Sequence, residues 1–300
     1  PGGEPRGPIT EALFDLLAMP PGTPVPDVGI ASGDPLTDED LQLALYACYE
    51  LHYRGVPGAD DDWEWDPGLL ALRGRIESVF EGALRAEVGQ LAPTGDVTSW
   101  LQSLTHGDDG PSTSAYCAEE ASVEQTCEEA VHRSLYQRKE ADPHSWVLPR
   151  LHGAPKAALV EIQADEYGDG VERDMHAELF GLTMHRLGLD PTYNAYLDVV
   201  PAHTLATVNL VSMLGLHRRL RGAAVGHLAL FEMASVPVMA NHDAGLRRLG
   251  FDDWTRLFYT THVVADAHHQ TVAARDPAGG LVAQDPDLEV DVMFGAAALA

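Results

Sequence analysis

Cysteine is scarce in this chain and follows no motif spacing. Cys48, Cys117 and Cys127 form no CxxC pair and no metal-ribbon pattern. An odd thiol count without CxxC excludes a disulfide framework and suits a reducing compartment. Basic charge is short too: 19 Lys and Arg stand against 46 Asp and Glu, a formal net charge of −27. With no Lys/Arg cluster to offset it, such a surface repels phosphate backbones and anionic lipid, so neither nucleic acid nor a membrane is expected as a partner. Strand signals are nearly missing, with no alternating β-branched runs and no hairpin dipeptides between such runs. The most apolar stretch, Val199–Leu216, is interrupted by Pro201, His203, Asn209 and Ser212, and reads as a buried core helix rather than a membrane span. No basic, apolar leader opens the chain as given, which points to a cytoplasmic protein. No repeat recurs at a fixed period.

What is present is helical periodicity. Residues 1–35 are rich in Pro and Gly and read as a loosely ordered lead-in with one short helix, Thr10–Ala18. Residues 36–300 read as one helical-bundle domain, long enough for a large core, with a flexible Gly/Ser/Thr/Asp-rich connection near 92–115. Thr37 to Asp40 resembles a capping box before an amphipathic helix. Further helices are predicted over Pro67–Leu91, Ser114–Ala141 and Ala154–Tyr167, then near 191–218, 222–247, 252–274 and 285–299. Asp142-Pro143 should end the helix before it, and Pro237 should bend the one it interrupts. The fold class is therefore all-α, a bundle of seven or more helices.

Three stretches carry chemistry. In Thr261–His269 (THVVADAHH), His262, Asp266 and His269 stand at i, i+4 and i+7. At about 100° per residue they fall within roughly 60° of one another, spread over about 10 Å of helix, and His268 points away. Two imidazoles around a carboxylate suit two metal ions sharing that carboxylate; the bland alternative is a polar surface rich in histidine. In Glu161–His176 a polar, Gly-bearing run interrupts two apolar segments. Glu166 and His176 would lie about 80° apart on a continuous helix, with Glu172 placed to ligate or orient the imidazole. A solvent-facing acidic helix explains the same run. Glu140 closes a helix, where the macrodipole disfavours a carboxylate; Arg138, Lys139 or a metal ion would compensate it. Tyr136, Tyr167, His203, Asn209, His217 and Glu232 lie in apolar helices and need partners. Glu232 and Tyr136 are candidates for a substrate pocket, and Arg218, Arg219 or Arg221 are candidate partners of Glu232.

Taken together, Glu140, the run EIQADEYGDG from Glu161 through His176, and the run from His262 to His269 resemble the haem-oxygenase-like di-iron oxidases and oxygenases, the iron-containing redox enzymes. Cys48–Val56 (CYELHYRGV) and Asn209–Met233 (NLVSMLGLHRRLRGAAVGHLALFEM) add to the likeness, which covers about residue 37 to the end. The resemblance implies a haem-oxygenase-like bundle holding two irons on Glu140, Glu166, His176, His262, Asp266 and His269. Some members use a further carboxylate where this chain has Arg173, so that ligand is either absent or supplied by Glu172. The resemblance also implies that the helix carrying His262–His269 orders on metal loading.

Mixed imidazole and carboxylate donors without thiolate suit Fe(II) or Mn(II) better than structural zinc. Two Fe(II) ions could reduce O2, as co-substrate, to a peroxo-di-iron(III) species that oxidises a bound small molecule. The expected substrate is amine- or amino-acid-like, and N-oxygenation, oxidative C–C cleavage and desaturation all stay open, as does an external electron donor. A ferritin-like centre wants two ExxH motifs, and this chain has one, Glu129 to His132. A haem or cofactorless enzyme on the same bundle, or a non-catalytic metal- or ligand-binding helical protein, are the other readings. A homodimer suits a bundle of this size, with no interface legible.

Overall fold

A computed structural model describes residues 3–30, 33–105 and 110–300, with backbone only for 266–271. Among the described residues every regular element is a helix, as the missing strand signals require. The chain divides into two compact units, residues 1–89 with 197–213, and residues 90–196 with 214–300.

The first unit contains α1 (Pro8–Leu17), α2 (Glu39–Glu50), α3 (Pro67–Val88) and most of α10 (Ala202–Leu216). α1 lies within the Pro/Gly-rich lead-in and is docked by charge. The Asp40 carboxylate accepts from the backbone N–H groups of Ile9 (2.7 Å) and Thr10 (2.8 Å), answering donors that a helix start leaves without intrahelical partners. Leu13 and Leu17 then bury one face of α1. Asp38, one residue beyond the expected Thr37, caps α2 through the N–H groups of Asp40 and Leu41. In the acidic loop that follows, Trp63 is fully buried and its indole N–H donates to the Met19 carbonyl at 3.0 Å.

The second unit holds α4 (Val97–Leu104), α5 (Thr113–Glu119), α6 (Val123–Gln137), α7 (Asp142–Ser145), α8 (Gly153–Glu166), α9 (His176–Arg186), α11 (Arg221–Arg248), α12 (Asp253–Ala273), α13 (Gly280–Gln284) and α14 (Glu289–Leu299). α11 is its spine, packed on α12, α14 and α5. It is long and apolar enough in composition to cross a membrane, but here Ala223, Ala224, Val225 and Ala229 are buried in the core. Pro237 sits inside α11, which is not divided there. α11 and α14 approach through small residues: a methyl group at Gly226 would overlap the Val292 carbonyl, and one at Gly295 the Ala223 carbonyl.

Several boundaries differ from the sequence expectation. The region near 92–115 contains α4, started by the Asp96 side chain accepting from Ser99 N–H and held by buried Val97 and Leu101. The helix expected over Ser114–Ala141 is broken at residues 120–122, where Ser122 and Gln125 form a capping box that opens α6. It stops at Gln137, and Asp142-Pro143 begins α7 instead of ending α6, proline being favoured in a first turn. Residues 191–201 are turns, with Asn194 at φ 62°.

Candidate metal centre

Four side chains from four segments of the second unit converge. Ligand atoms of Glu140, Glu166, His176 and His262 all lie within 4.8 Å of one another, and all four residues are buried. Glu166 is the last residue of α8 and His176 the first of α9. Between them the chain makes two 3-10 turns rather than continuing the helix. Gly168, at φ +61°, permits this because a Cβ there would run into the backbone of Asp174 and Met175. The interruption brings His176 Nδ1 to 2.8 Å from Glu166 Oε2.

Glu140 sits past the end of α6, immediately before Ala141, which adopts the left-handed region at φ 74°. α8 holds that turn: the Gln163 side-chain amide donates to the Ala141 carbonyl at 2.7 Å and to Ser145 Oγ at 2.8 Å. Tyr167 donates to Asp142 Oδ1 at 2.8 Å, with Ser145 Oγ 2.9 Å away. With its nitrogen turned towards Glu140, the Gln137 amide donates to the carboxylate at 2.9 Å. Gln163→Leu is therefore expected to weaken iron binding about tenfold, as outer partners of ligands do, with helix content unchanged. Anaerobic Fe(II) titration checks this, and an undiminished affinity would leave the network a purely structural role.

His262, on α12, is held by its own helix. Its Nδ1 lies 2.9 Å from the Phe258 carbonyl, one turn back. A donating Nδ1–H leaves Nε2 as the lone-pair nitrogen, and Nε2 is the atom that faces Glu140 Oε2 at 3.5 Å. The His176 and His262 rings stand 4.1 Å apart between centroids. Burial pushes the Glu140 pKa up, against the pull of His262. Burial disfavours protonated His176, yet the Glu166 carboxylate outweighs it and holds that imidazole above its ordinary value. Two buried carboxylates and two imidazoles form a cluster that calls for positive charge. Oxygen and nitrogen donors without sulfur fit iron or manganese.

The cluster thus unites four of the expected ligands. Asp266, His268 and His269 have side chains outside the described residues; their backbone continues α12. Glu172 and Arg173 are exposed in the second 3-10 turn, outside the cluster. Arg138 turns to the carbonyls of Pro191 (3.0 Å) and Ala177, fixing the start of α9 rather than neutralising Glu140. Lys139 is buried. Of the pocket candidates, Tyr136 packs its ring edge-on to Phe231 at 5.4 Å, and Glu232 is buried on α11. Asn209 serves the first unit's core, donating to Gln42 at 2.7 Å. His203 is exposed and His217 half-buried, and Arg221 pairs with Asp285 at 3.1 Å. Gln137 and Gln163 escape sequence reasoning, because an amide beside a ligand has no spacing rule of its own.

Buried histidines away from the cluster contribute to acid stability; burial pushes His144, which lies against His227, well below its ordinary value. Burial depresses His227 to about 4. Burial, aided by Arg133, depresses His242 to about 4. The unfolded chain binds these protons near pH 6.5, so the stability they confer is full above that value and is lost as pH falls towards 4. The metal-free melting temperature is expected to fall steadily between pH 6.5 and 4.5. His242→Phe should flatten the decline, and an identical slope in the variant would assign it to other groups.

A model of a protein family described as iron-containing redox enzymes matches residues 127–300. The chain is also similar to nitrosourea synthase of Streptomyces achromogenes subsp. streptozoticus, 27% identical over 255 residues. That alignment covers 78% of this chain and 53% of the relative, so the chain spans about half the length of the curated protein it matches.

Proposed function

Since the chain belongs to the family of iron-containing redox enzymes, we propose that it is an oxidoreductase in which a non-haem iron centre uses O2 to oxidise a nitrogen-bearing small molecule. The observation that carries this reading is the buried meeting of Glu140, Glu166, His176 and His262. Asp266 and His269, one and two turns beyond His262 on the same helix, are proposed as the further ligands of a second iron. Iron bound there would supply the electrons that dioxygen needs to become an oxidant.

The chain's own residues set the conditions for this. The Phe258 carbonyl fixes the His262 tautomer, and Gln137, with its amide nitrogen turned towards Glu140, orients that carboxylate. Burial of all four ligands keeps bulk water from them and strengthens each charge interaction. That one relative is named a nitrosourea synthase favours nitrogen over carbon as the atom oxidised, and so N-oxygenation over C–C cleavage or desaturation.

The test is iron counting after anaerobic Fe(II) loading, followed by O2 uptake with amine and guanidine substrates. Two irons per chain, with uptake coupled to a nitrogen-oxidised product, is the expected result. One iron would favour a second reading, a single-iron centre made by the four described ligands alone. A chain that takes up no iron would end both.

A further inference from the structure

From His176 and His262 outwards, α9 and α12 pack as antiparallel helices that meet residue for residue. His176 faces His262, with ring centroids 4.1 Å apart. Four residues on from the first and four back from the second, Phe180 meets Phe258 edge-on at 4.9 Å. At seven residues from each, the Thr183 hydroxyl donates to the Thr255 carbonyl at 2.9 Å, a buried bond. At ten residues from each, Arg186 pairs with Asp252, its Nε lying 3.2 Å from Oδ1. At about 100° per residue, steps of four and seven return to within about 60° of the starting face, whereas a step of ten turns to its flank. Thr183 is accordingly buried and Arg186 exposed. Asp252 is also the cap of α12, accepting from the Thr255 N–H at 3.0 Å and the Thr255 hydroxyl at 2.8 Å. The outermost pair therefore ties the last turn of α9 to the start of α12.

We propose that Thr183 and Arg186 are positioning residues for the metal centre. Their two polar contacts fix the register of α9 against α12, and so set His176 opposite His262 from about two and three turns away. The apolar side chains between the helices do not supply this register. Leu179, Phe180, Met184, Phe258 and Tyr259 belong to one buried cluster, but hydrophobic burial is non-directional. Ridges of side chains four residues apart can interdigitate again after a slip of one turn. Such a slip would move His262 about 5.4 Å along α9, further than the 4.8 Å that encloses all four ligand atoms. The quartet would be lost while apolar contact was largely kept. The polar pairs forbid it. A hydrogen bond is short-ranged and directional, and breaking this one leaves a buried hydroxyl to be satisfied elsewhere. Slipped one turn along α12, Arg186 would lose Asp252 and face Arg256; slipped the other way, it would run off the start of the helix. That the two imidazoles hold iron rests on the oxidase reading above; that these contacts set their spacing rests on the helix pair alone.

Thr183→Val, which keeps the branched shape and removes the hydroxyl, tests this through Co(II) binding and through the imidazole nuclear magnetic resonances of the metal-free chain. It is expected to weaken Co(II) about tenfold, as loss of an outer partner of a ligand does. It should also shift the visible band of bound Co(II) and move the His176 and His262 resonances. Thr183→Ser, which returns the hydroxyl, should restore all three. Val292→Ala, a buried truncation on α14 of the same unit, should lower the melting temperature and leave all three as in wild type. Arg186→Gln, at an exposed position that tolerates change, decides the matter if Thr183→Val does not fold. It too should weaken Co(II) and move the two resonances. Unmoved resonances and unchanged Co(II) affinity in a folded Thr183→Val chain, or equal weakening by Val292→Ala, would overturn the proposal. Iron loading of the wild type, recorded beside these measurements, separates the two claims. Resonances that move in a chain that takes up neither iron nor Co(II) leave the positioning role standing and remove the oxidase. Iron uptake indifferent to both Thr183→Val and Arg186→Gln does the reverse.

Discussion

His262→Ala is expected to lower Fe(II) affinity by at least about a hundredfold and to abolish O2 uptake, since even outer partners of a ligand are worth about ten- to a hundredfold. The residue is 2% exposed, and its Nδ1 is engaged by the Phe258 carbonyl. Alanine thus removes a donor already fixed in both tautomer and direction. Glu172→Ala is the contrast. It lies exposed in a 3-10 turn, and its loss should shift affinity by less than about twofold if the four buried residues hold the metal, being a surface change away from the site. Competition against a coloured chelator under anaerobic conditions measures both, with far-ultraviolet circular dichroism showing that α12 persists. Wild-type affinity in the His262 variant would mean that iron binds elsewhere.

Gly226→Val should destabilise the second unit by about 3 kcal/mol or more, the upper range of overpacking. Ordinary domains are stable by only about 5–15 kcal/mol. The clash is with backbone, so no side-chain rotamer relieves it. The helices α11 and α14 must separate, exposing Val292 and Met293, both 2% exposed or less. Any gain in helix propensity, about 1 kcal/mol at most for replacing glycine, is outweighed. A methyl group at Gly82 on α3 would meet nothing within 4 Å, and Gly82→Ala should stabilise by up to about 1 kcal/mol. Urea unfolding of the two variants provides the comparison. A Gly226→Val midpoint equal to wild type would show that the α11–α14 seam is looser than its geometry.

How much of this is legible in the sequence depends on whether a residue acts through periodicity or through a contact. Helices read well because apolar spacing is a local property, and His262 stands out because its i, i+4, i+7 pattern is local too. Glu140 stands out for a different reason from the one that places it. In the sequence it is a carboxylate at a helix end, but it stands in a turn kept in the left-handed region at Ala141 by Gln163, a residue of another helix. α4 is hidden because its flanks are Gly, Ser and Asp, and only burial of Val97 and Leu101 shows why eight residues form a helix there. The extent of 191–218 misleads because two prolines and Asn194 act locally against a periodic pattern.

The order in which the candidate ligands occur along the chain has a temporal consequence. Glu140, Glu166 and His176 follow closely, whereas His262 comes only after α10 and α11. Contacts between residues so far apart form late, because the loop between them must first be closed. During synthesis the first three donors emerge well before the fourth, and they acquire their full partner set only when α12 docks on α9. If these four residues hold the metal, competence to bind it is a late event in the life of each molecule, and it reports that α12 has reached its place.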